Sequence, residues 1–304
     1  MNNNKLLIVA AAILSVFLGA VAFNKLHVPD KLPQSQLESQ FKLIPEKTEP
    51  IKLAEKPNIS VITPTYLDYP DIIKQLNKWH NEAPELTEIG TYGKSTHGND
   101  LYYIRLNNKL TKGNKPVVLL TACIHGNEPW ATGLMMAHFG NLLNSYRSTP
   151  ELTDLIDTRD IYFIPVVSPD SYPFSRFVDG VDPNRNFPNP HKQQNQAKPV
   201  KALIDFFTKI SPKATISCHT WGRACLIPWG DSLTNCPDYN EYQRVVGTMC
   251  SLMNYKFMRT CDMYGKHGLN VPPPRDLLVN NDGTPIYGTE VDWYYRNGSM
   301  AIVM

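Results

Sequence analysis

The sequence predicts an α/β domain built on a mixed, mostly parallel central sheet with helices on both faces. Apolar segments short enough to be strands alternate along the chain with segments whose apolar residues recur every three or four positions. Several strand segments are apolar throughout, which is typical of strands buried on both faces. Alternating strands and helices favour a single layered domain of this kind.

The predicted elements run from about residue 66 to the last residue. The first helix is indicated by Ile72, Leu76 and Trp79, which recur at helical spacing. Pro129 occupies a favourable first helical position and opens a long helix with an apolar stripe. The predicted helices are 68–80, 130–146, 200–210 and 241–255, and the predicted strands are 101–106, 116–124, 161–167, 214–218 and 300–304.

Composition narrows the class of protein. Apolar residues make up 42% of the 304 residues, enough to build a hydrophobic core. Charged residues make up 19% and the net charge is +2, so nothing favours a nucleic-acid partner. We therefore expect a globular domain and no nucleic-acid partner.

The first 22 residues have the pattern of an export segment. A polar start with Lys5 precedes an apolar run from Leu6 to Phe23 that ends in the small-x-small pattern accepted by signal peptidases. We expect either a signal peptide cut after Ala22 or an uncleaved membrane anchor, because the run approaches the ~20 residues that span a bilayer. Both place the domain outside the cytoplasm, periplasmic or secreted, with membrane contact only through this segment.

Residues 23–60 are predicted to be a linker or short pro-segment. They are rich in Lys, Glu, Pro and Gln and show no sustained periodicity. The folded domain is therefore expected to occupy residues 61–304.

Six cysteines would lie where disulfides persist if the chain is exported. Their pairing cannot be deduced from the sequence. Cys123 and Cys218 lie on apolar strands and are expected to be buried thiols. The remaining four crowd into one region and are the better candidates for bridges: Cys225, Cys236, Cys250 and Cys261.

Two histidines follow apolar strands in the same way. His125 comes directly after the strand 116–124, and Glu128 lies three positions further, at the start of the next helix. An imidazole nitrogen and a carboxylate oxygen at this spacing can bind one ion, and a catalytic zinc site needs a third protein ligand. His219 directly follows the strand 214–218 and fits that position. The pattern predicts one zinc ion held by His125, Glu128 and His219.

The other histidines lack an acidic partner at ligand spacing. We expect them to be surface or packing residues: His27, His80, His97, His138, His191 and His267.

Residues 180–188 contain the dense turn Asp182-Pro-Asn184-Arg185-Asn186. Its proline and asparagines indicate a rigid loop. Arg185 presents on that loop a planar fork that suits a carboxylate. Beside a zinc site, such an arginine suggests recognition of a substrate's C-terminal carboxylate.

Together these motifs resemble those of the zinc carboxypeptidase family typified by carboxypeptidase A, in the family's order. Asn127 stands where digestive members have arginine, so the first motif is more similar to bacterial and other non-digestive branches. The matching segments are His125-Gly-Asn-Glu128, Asp182-Pro-Asn184-Arg185-Asn186, Ser217-Cys-His219-Thr-Trp with Leu226-Ile-Pro-Trp-Gly230, and Ile286-Tyr287-Gly-Thr-Glu-Val-Asp292-Trp293.

The resemblance implies a carboxypeptidase-like fold and roles for these residues. Zinc would polarise the scissile carbonyl and lower the pKa of its water. Asn184 and Arg185 would hold the free C-terminal carboxylate of a peptide, and Tyr287 would close over it. Arg176 is the candidate for stabilising the oxyanion, although a surface arginine is the alternative reading. Val291 would form the floor of the side-chain pocket.

The resemblance also implies a general-base glutamate at the end of an apolar strand after the Asp-Trp pair. That strand begins at Met300 and the chain stops at Met304. We expect the chain to be truncated, a glutamate to follow within one or two residues, and the 304-residue form to hydrolyse almost nothing. Glu290, in the tyrosine segment, is not regarded as a candidate.

The sequence is compatible with three functions. The first is an exported metallocarboxypeptidase acting on peptides, which the tyrosine and Asp-Trp segment favours. The second is an N-acyl amino acid amidohydrolase, because that related branch shares His-x-x-Glu. The third is a catalytically inactive zinc or peptide-binding homologue.

Overall fold

In a computed structural model, the structure describes residues 54–59, 62–191, 194–220, 222–264, 268–269 and 283–304. The predicted export segment lies outside these residues, as do His27, His267 and most of the predicted linker. None of the helices in the described part of the chain has the length and apolar character needed to cross a membrane.

Eight strands form one mixed sheet in the order β1-β2-β4-β3-β5-β8-β6-β7. The four central strands, β4, β3, β5 and β8, are parallel to one another. On one side β2 and β1 continue the sheet in antiparallel pairing, and on the other β6 pairs antiparallel with β8 and parallel with β7. The strands are β1 Thr87–Lys94, β2 Asp100–Leu106, β3 Val117–Ala122, β4 Asp160–Ile164, β5 Ala214–Cys218, β6 Ala224–Ile227, β7 Lys256–Arg259 and β8 Met300–Val303.

Helices connect the strands and cover the sheet. The α-helices are α1 Tyr69–Glu82, α2 Pro129–Ser145, α3 Pro150–Thr158, α4 Lys198–Ile210, α5 Tyr239–Tyr242, α6 Thr248–Met253 and α7 Glu290–Arg296. A π-helical turn at Gln243–Gly247 joins α5 to α6. Short 3-10 helices lie at Pro183–Arg185 and Thr260–Asp262.

The core has two layers, one on each face of the sheet, because successive side chains of a strand point to opposite faces. On one face Trp79 of α1 and Phe139 of α2 pack together, with ring centroids 5.0 Å apart, over Phe163 of β4. On the other face Phe207 of α4 packs against Trp293 of α7 at 5.0 Å. The predicted fold class, a mixed and mostly parallel sheet covered on both faces, is therefore confirmed.

The register of the central strands positions the site. β3 pairs in parallel with β5, and Ala122 at the end of β3 lies opposite Cys218 at the end of β5. Because parallel strands end at the same edge of a sheet, the segments that follow β3 and β5 emerge side by side.

The sequence patterns missed several elements. Three strands (β1, β6 and β7) and two helices (α3 and α7) were not predicted. β6 and β7 have four residues each, too short to show an alternation. The predicted helix 241–255 is instead the succession of α5, the π-helical turn and α6, which together span residues 239–253.

The cysteines are all buried, and all six are free thiols. Cys123 and Cys218 are buried thiols as predicted, and burial raises the pKa of each to about 12. The four later cysteines form no bridge, which differs from the expectation for that region. The Cys250 thiol on α6 instead donates to the Lys256 carbonyl oxygen, with Sγ 3.6 Å from the oxygen.

Residues 54–59 pack on the domain although the sequence assigns them to the linker. Ala54 and Ile59 are buried in the core, and the Ala54 amide donates to the Tyr146 hydroxyl at 3.2 Å. The packed domain therefore includes these residues.

His138 of α2 is a buried histidine whose two ring nitrogens have no hydrogen-bond partner. Burial lowers its pKa from 6.5 to about 4. The unfolded chain therefore binds a proton between those values while the folded protein does not, and stability falls as pH falls through this window. We expect His138 to cost about 2 to 3 kcal/mol of unfolding free energy between pH 7 and pH 4.5.

The measurement is urea unfolding of the parent and of His138→Leu at both pH values. The variant should lose less stability on acidification, by about that amount, because leucine neither titrates nor leaves unpaired nitrogens. His97→Gln is the control, since the His97 side chain is 72% exposed and its replacement should keep the parent's pH slope. Equal slopes for the parent and His138→Leu would contradict the prediction.

Candidate metal centre

The turn between β3 and α2 carries two of the predicted metal ligands. Gly126 lies between them, and a Cβ at this position would come within 2.4 Å of the Ser171 backbone. Only glycine therefore allows the turn to pack so closely against the neighbouring loop. α2 begins at Pro129, so Glu128 lies at the helix boundary with its side chain buried. The local sequence thus fixes His125 and Glu128 on one tight turn.

The third predicted ligand comes to the same place. His219 directly follows β5, and its ring centroid lies 5.1 Å from that of His125. His125 Nδ1 is 3.0 Å from Glu128 Oε1, and His219 Nδ1 is 2.9 Å from Glu128 Oε2. Candidate ligand atoms of the three residues all lie within 4.8 Å of one another. The structure therefore brings together the three residues predicted as zinc ligands.

These residues fit a zinc ion. Two imidazole nitrogens and one carboxylate are a donor set that zinc accepts in catalytic sites, where a further position stays open. Glu128 Oε2 is buried and has no hydrogen-bond partner, because its short contact with His219 lacks hydrogen-bond geometry. Burying a carboxylate oxygen without a hydrogen bond costs folding free energy unless a cation binds it. Among the described residues, His125, Glu128 and His219 are the group able to hold a metal ion.

The protonation of the ligands reflects their mutual contacts. Burial alone would raise the pKa of Glu128, but the charge of His219 and the hydrogen bond with His125 outweigh it and hold that pKa far below its usual range. Burial opposes protonation of His219, yet Glu128 and Glu290 raise its pKa to about 10. Without metal a proton thus occupies His219, and metal binding must release it.

Asp182 connects the metal centre to the predicted carboxylate-binding loop. Its Oδ1 lies 3.0 Å from His125 Nε2 and accepts the Asn184 amide at 2.9 Å. Its Oδ2 accepts two hydrogen bonds from Arg176, at 3.0 and 2.8 Å. Burial would raise the pKa of Asp182, but His125, Arg185 and Arg176 together lower it well below its usual range. Asp182 therefore stays ionised and fixes the orientation of His125.

The predicted carboxylate-binding residues lie beside this network. Asn184 is buried, and its Nδ2 is 3.5 Å from His219 Nε2. The Arg185 guanidinium donates to the Asn184 carbonyl oxygen at 2.6 Å. Within the described ranges, no acidic side chain forms an ion pair with Arg185. A half-buried guanidinium without an ion pair in the described ranges is thus held on the loop whose Asp182 and Asn184 contact the two histidines.

Arg176 also reaches the metal centre. Besides its contacts with Asp182, its Nη1 lies 3.5 Å from His125 Nδ1, and its side chain is 33% exposed. The structure therefore places it inside the site rather than on the open surface.

The segment with Tyr287 is anchored to the Arg185 loop. Gly288 has a φ of +72°, and its carbonyl oxygen accepts the Phe187 amide at 3.1 Å. A Cβ on Gly288 would lie 2.5 Å from the Arg185 carbonyl oxygen, so this close approach requires glycine. Tyr287 itself is 42% exposed, with its ring 4.8 Å from that of His191. Its closing over a substrate stays a prediction.

Val291 is buried in the hydrophobic cluster that also contains Phe187 and Trp293. Its neighbour Asp292 accepts backbone N–H groups of Gly230 and Asp231 at 2.8 to 3.0 Å. Burial raises the pKa of Asp292 to about 6, against the effect of these N–H donors. Asp292 therefore acts as a structural support for the loop after β6.

The sequence analysis did not assign two residues that the structure places on the metal ligands. The sequence places Asp182 in a rigid turn and Glu290 close to Tyr287, without a contact to a metal ligand. Glu290 is fully buried, and its Oε1 lies 2.8 Å from His219 Nε2. No short spacing reveals either contact, because the partners are 57 and 71 positions apart.

Comparison with known proteins agrees with this geometry. The sequence-family model for zinc carboxypeptidases (peptidase family M14) matches residues 72–302, which is about three quarters of the chain. Carboxypeptidase A2 of Rattus norvegicus is 28% identical over 209 residues, which cover 58% of this chain and 49% of that relative. The chain therefore spans about half the length of the curated relatives it matches first.

Solved structures show the same fold. Thrombin-activatable fibrinolysis inhibitor has a TM-score of 0.66 at 19% identity, covering 79% of this chain and 66% of that chain. Carboxypeptidase A from Helicoverpa armigera has a TM-score of 0.63 at 15% identity, and the match covers 89% of this chain and 71% of that chain.

We expect one zinc ion per chain, and we expect His219→Ala to lose most of it, since two protein ligands hold zinc far less well than three. Metal analysis after dialysis measures this for both proteins. His97→Ala is the control, because His97 is exposed and should leave the zinc content unchanged. Parent-like zinc in His219→Ala would remove this residue from the site.

Proposed function

Given that the chain belongs to the zinc carboxypeptidase family, we propose that it is a metallocarboxypeptidase that hydrolyses the C-terminal peptide bond of peptides. One observation carries the proposal: a buried His–Glu–His cluster lies next to a guanidinium that has no carboxylate partner among the described residues. The first can hold a catalytic zinc ion and the second can hold the terminal carboxylate of a substrate.

Recognition of a free C-terminus follows from the Asp182–Asn186 loop. Arg185 offers a planar charged fork, and Asn184 offers an amide directed towards His219. Arg–carboxylate pairs of this kind are charge-assisted and often bidentate. A peptide bound there would place its last peptide bond near the metal ligands. Tyr287, anchored beside the loop through Gly288, is proposed to cover the bound carboxylate.

The chemistry divides between the metal and the protein. His125, Glu128 and His219 would hold a zinc ion, which would supply polarisation of the substrate carbonyl and a lowered pKa for a water molecule. Arg176 is oriented by Asp182 towards His125, and we propose that it stabilises negative charge that develops on the carbonyl oxygen. Asp182 would thereby keep both His125 and Arg176 in place.

The finer assignments rest on the sequence. His125-Gly-Asn-Glu128 supports a branch of the family that contains bacterial, non-digestive members. The apolar segment at residues 6–23 supports export to the periplasm or the medium, or attachment to a membrane through that segment.

Peptide binding should depend on a free C-terminal carboxylate and on Arg185. We expect the zinc-loaded chain to bind an N-acylated tripeptide with a free C-terminus about 30-fold more tightly than its C-terminal amide, because the amide leaves the guanidinium unpaired. Arg185→Ala should abolish most of this difference. Calorimetric titration measures the dissociation constants and requires no turnover.

Arg185→Lys is the matched control, since it keeps the charge and loses the planar fork. It should retain part of the preference. Equal binding of the acid and the amide by the parent protein would contradict the role of Arg185. Hydrolysis of N-acetyl amino acids with no cleavage of peptides would favour the amidohydrolase instead.

The side chain accepted at the C-terminus should be apolar or aromatic, because Val291 would form the pocket floor. Cationic side chains need a carboxylate partner there. A panel of peptides ending in Phe, Leu, Lys or Arg tests this by dissociation constants and, where turnover is measurable, by kcat/KM. Val291→Asp should move the preference towards Lys and Arg, while Val291→Ile should not. A parent preference for Lys, Arg or diaminopimelate would contradict the assignment.

A further inference from the structure

Glu290 is a buried carboxylate that the proposed reaction does not use. It is the first residue of α7 and has no exposed surface. Its Oε1 lies 2.8 Å from Nε2 of His219, and its Oε2 has no hydrogen-bond partner. Burying an ionisable group in this way is costly unless it stabilises a nearby charge or hydrogen bond. His219 is the group that it contacts.

The two ring nitrogens of His219 face different carboxylates. Nδ1 faces Glu128, at 2.9 Å, and Nε2 faces Glu290. A neutral imidazole carries one proton, and the nitrogen that binds a metal must be the one without it. A carboxylate that accepts the Nε2–H therefore leaves the Nδ1 lone pair on the side of Glu128.

We propose that Glu290 is a positioning residue for the metal ligand His219. Its carboxylate fixes the ring orientation and the tautomer in which Nδ1 binds zinc. Asp182 already stands in the same relation to His125, with Oδ1 3.0 Å from Nε2. Each histidine ligand is thus backed by its own carboxylate, and such partners commonly change metal affinity 10- to 100-fold. This proposal rests on the zinc site of the proposed function.

The backbone of Glu290 adds a second link. Its N–H donates to Oδ1 of Asn184 at 2.9 Å, which leaves the Asn184 Nδ2 facing His219. Glu290 therefore holds the metal ligand with its side chain and the proposed carboxylate-binding residue with its main chain. The two halves of the site are aligned through one residue.

A different use of Glu290, binding a cationic substrate side chain, fits the structure less well. The side chain is fully buried and one carboxylate oxygen is already occupied by His219. A substrate-binding role predicts altered preference for Lys and Arg peptides with unchanged zinc affinity. A positioning role predicts the opposite.

The experiment compares the zinc affinity of Glu290→Ala and Glu290→Gln with that of the parent, by competition with a chromophoric chelator. Glu290→Ala should bind zinc about 10- to 100-fold more weakly. Glu290→Gln should lose less, because its carbonyl oxygen can still accept the Nε2–H. Asp292→Asn is the matched control: it changes a buried carboxylate on the same helix that does not touch a ligand, and zinc affinity should stay within about twofold.

A purely structural role would be visible in stability instead. Urea unfolding is measured for each protein with excess chelator and with excess zinc, and the increment due to zinc reports binding to the native state. Positioning predicts a smaller increment in the Glu290 variants. Lower stability of the metal-free form with an unchanged increment, or zinc affinity within twofold of the parent in folded Glu290→Ala, would overturn the proposal. Failure of the parent to bind zinc would overturn the proposed function as well.

Discussion

The parallel pairing of β3 with β5 is the constraint on which the site depends. Ala122 and Cys218 are register partners, so the chain leaves both strands at the same edge. His125 and His219 follow within a few residues and face each other across 5.1 Å. A shift of one residue in either strand would exchange the side chains that pack in the two core layers, so the packing of both layers also protects the spacing of the ligands. The register of the buried sheet therefore fixes the relative positions of the metal ligands.

Charge balance explains how so many ionised groups remain buried together. Three carboxylates (Glu128, Asp182 and Glu290) face two guanidinium groups, those of Arg176 and Arg185. When both histidines are neutral, as metal ligands must be, these five groups sum to one negative charge, and a bound divalent cation would change the sum to one positive charge. The loaded site then favours an anion, in agreement with a substrate that carries a terminal carboxylate. Removing one charged member would leave its partner buried and unpaired, at a cost that exceeds the worth of one hydrogen bond.

The sequence predicted the parts of this arrangement that depend on local order. His125, Glu128 and His219 could be found because each stands directly after an apolar strand or at a helix start. Arg185 could be found because a turn rich in proline and asparagine surrounds it. These features are encoded within about ten residues of the side chain concerned, and the patterns that encode them are strong.

The carboxylates behind the histidines could not be found in this way. Asp182 and Glu290 reach their partners only after the chain has crossed the sheet, and nothing near them in sequence differs from an ordinary acidic residue. Glu290 was set aside because it adjoins the tyrosine segment, yet its tertiary contact is with His219. The strands β6 and β7 were not predicted for a related reason. Each has only four residues, and its strand conformation depends on pairing with neighbouring strands of the sheet.

α7 shows how a short helix can hold several groups at once. Successive residues of an α-helix point about 100° apart, so four consecutive side chains reach four directions. Glu290 contacts His219, Val291 enters the core, Asp292 accepts the N–H groups after β6, and Trp293 packs on α4. The last three contacts fix the helix against the domain. Because the helix cannot rotate without breaking them, the Glu290 carboxylate is held where His219 needs it, as a positioning group requires.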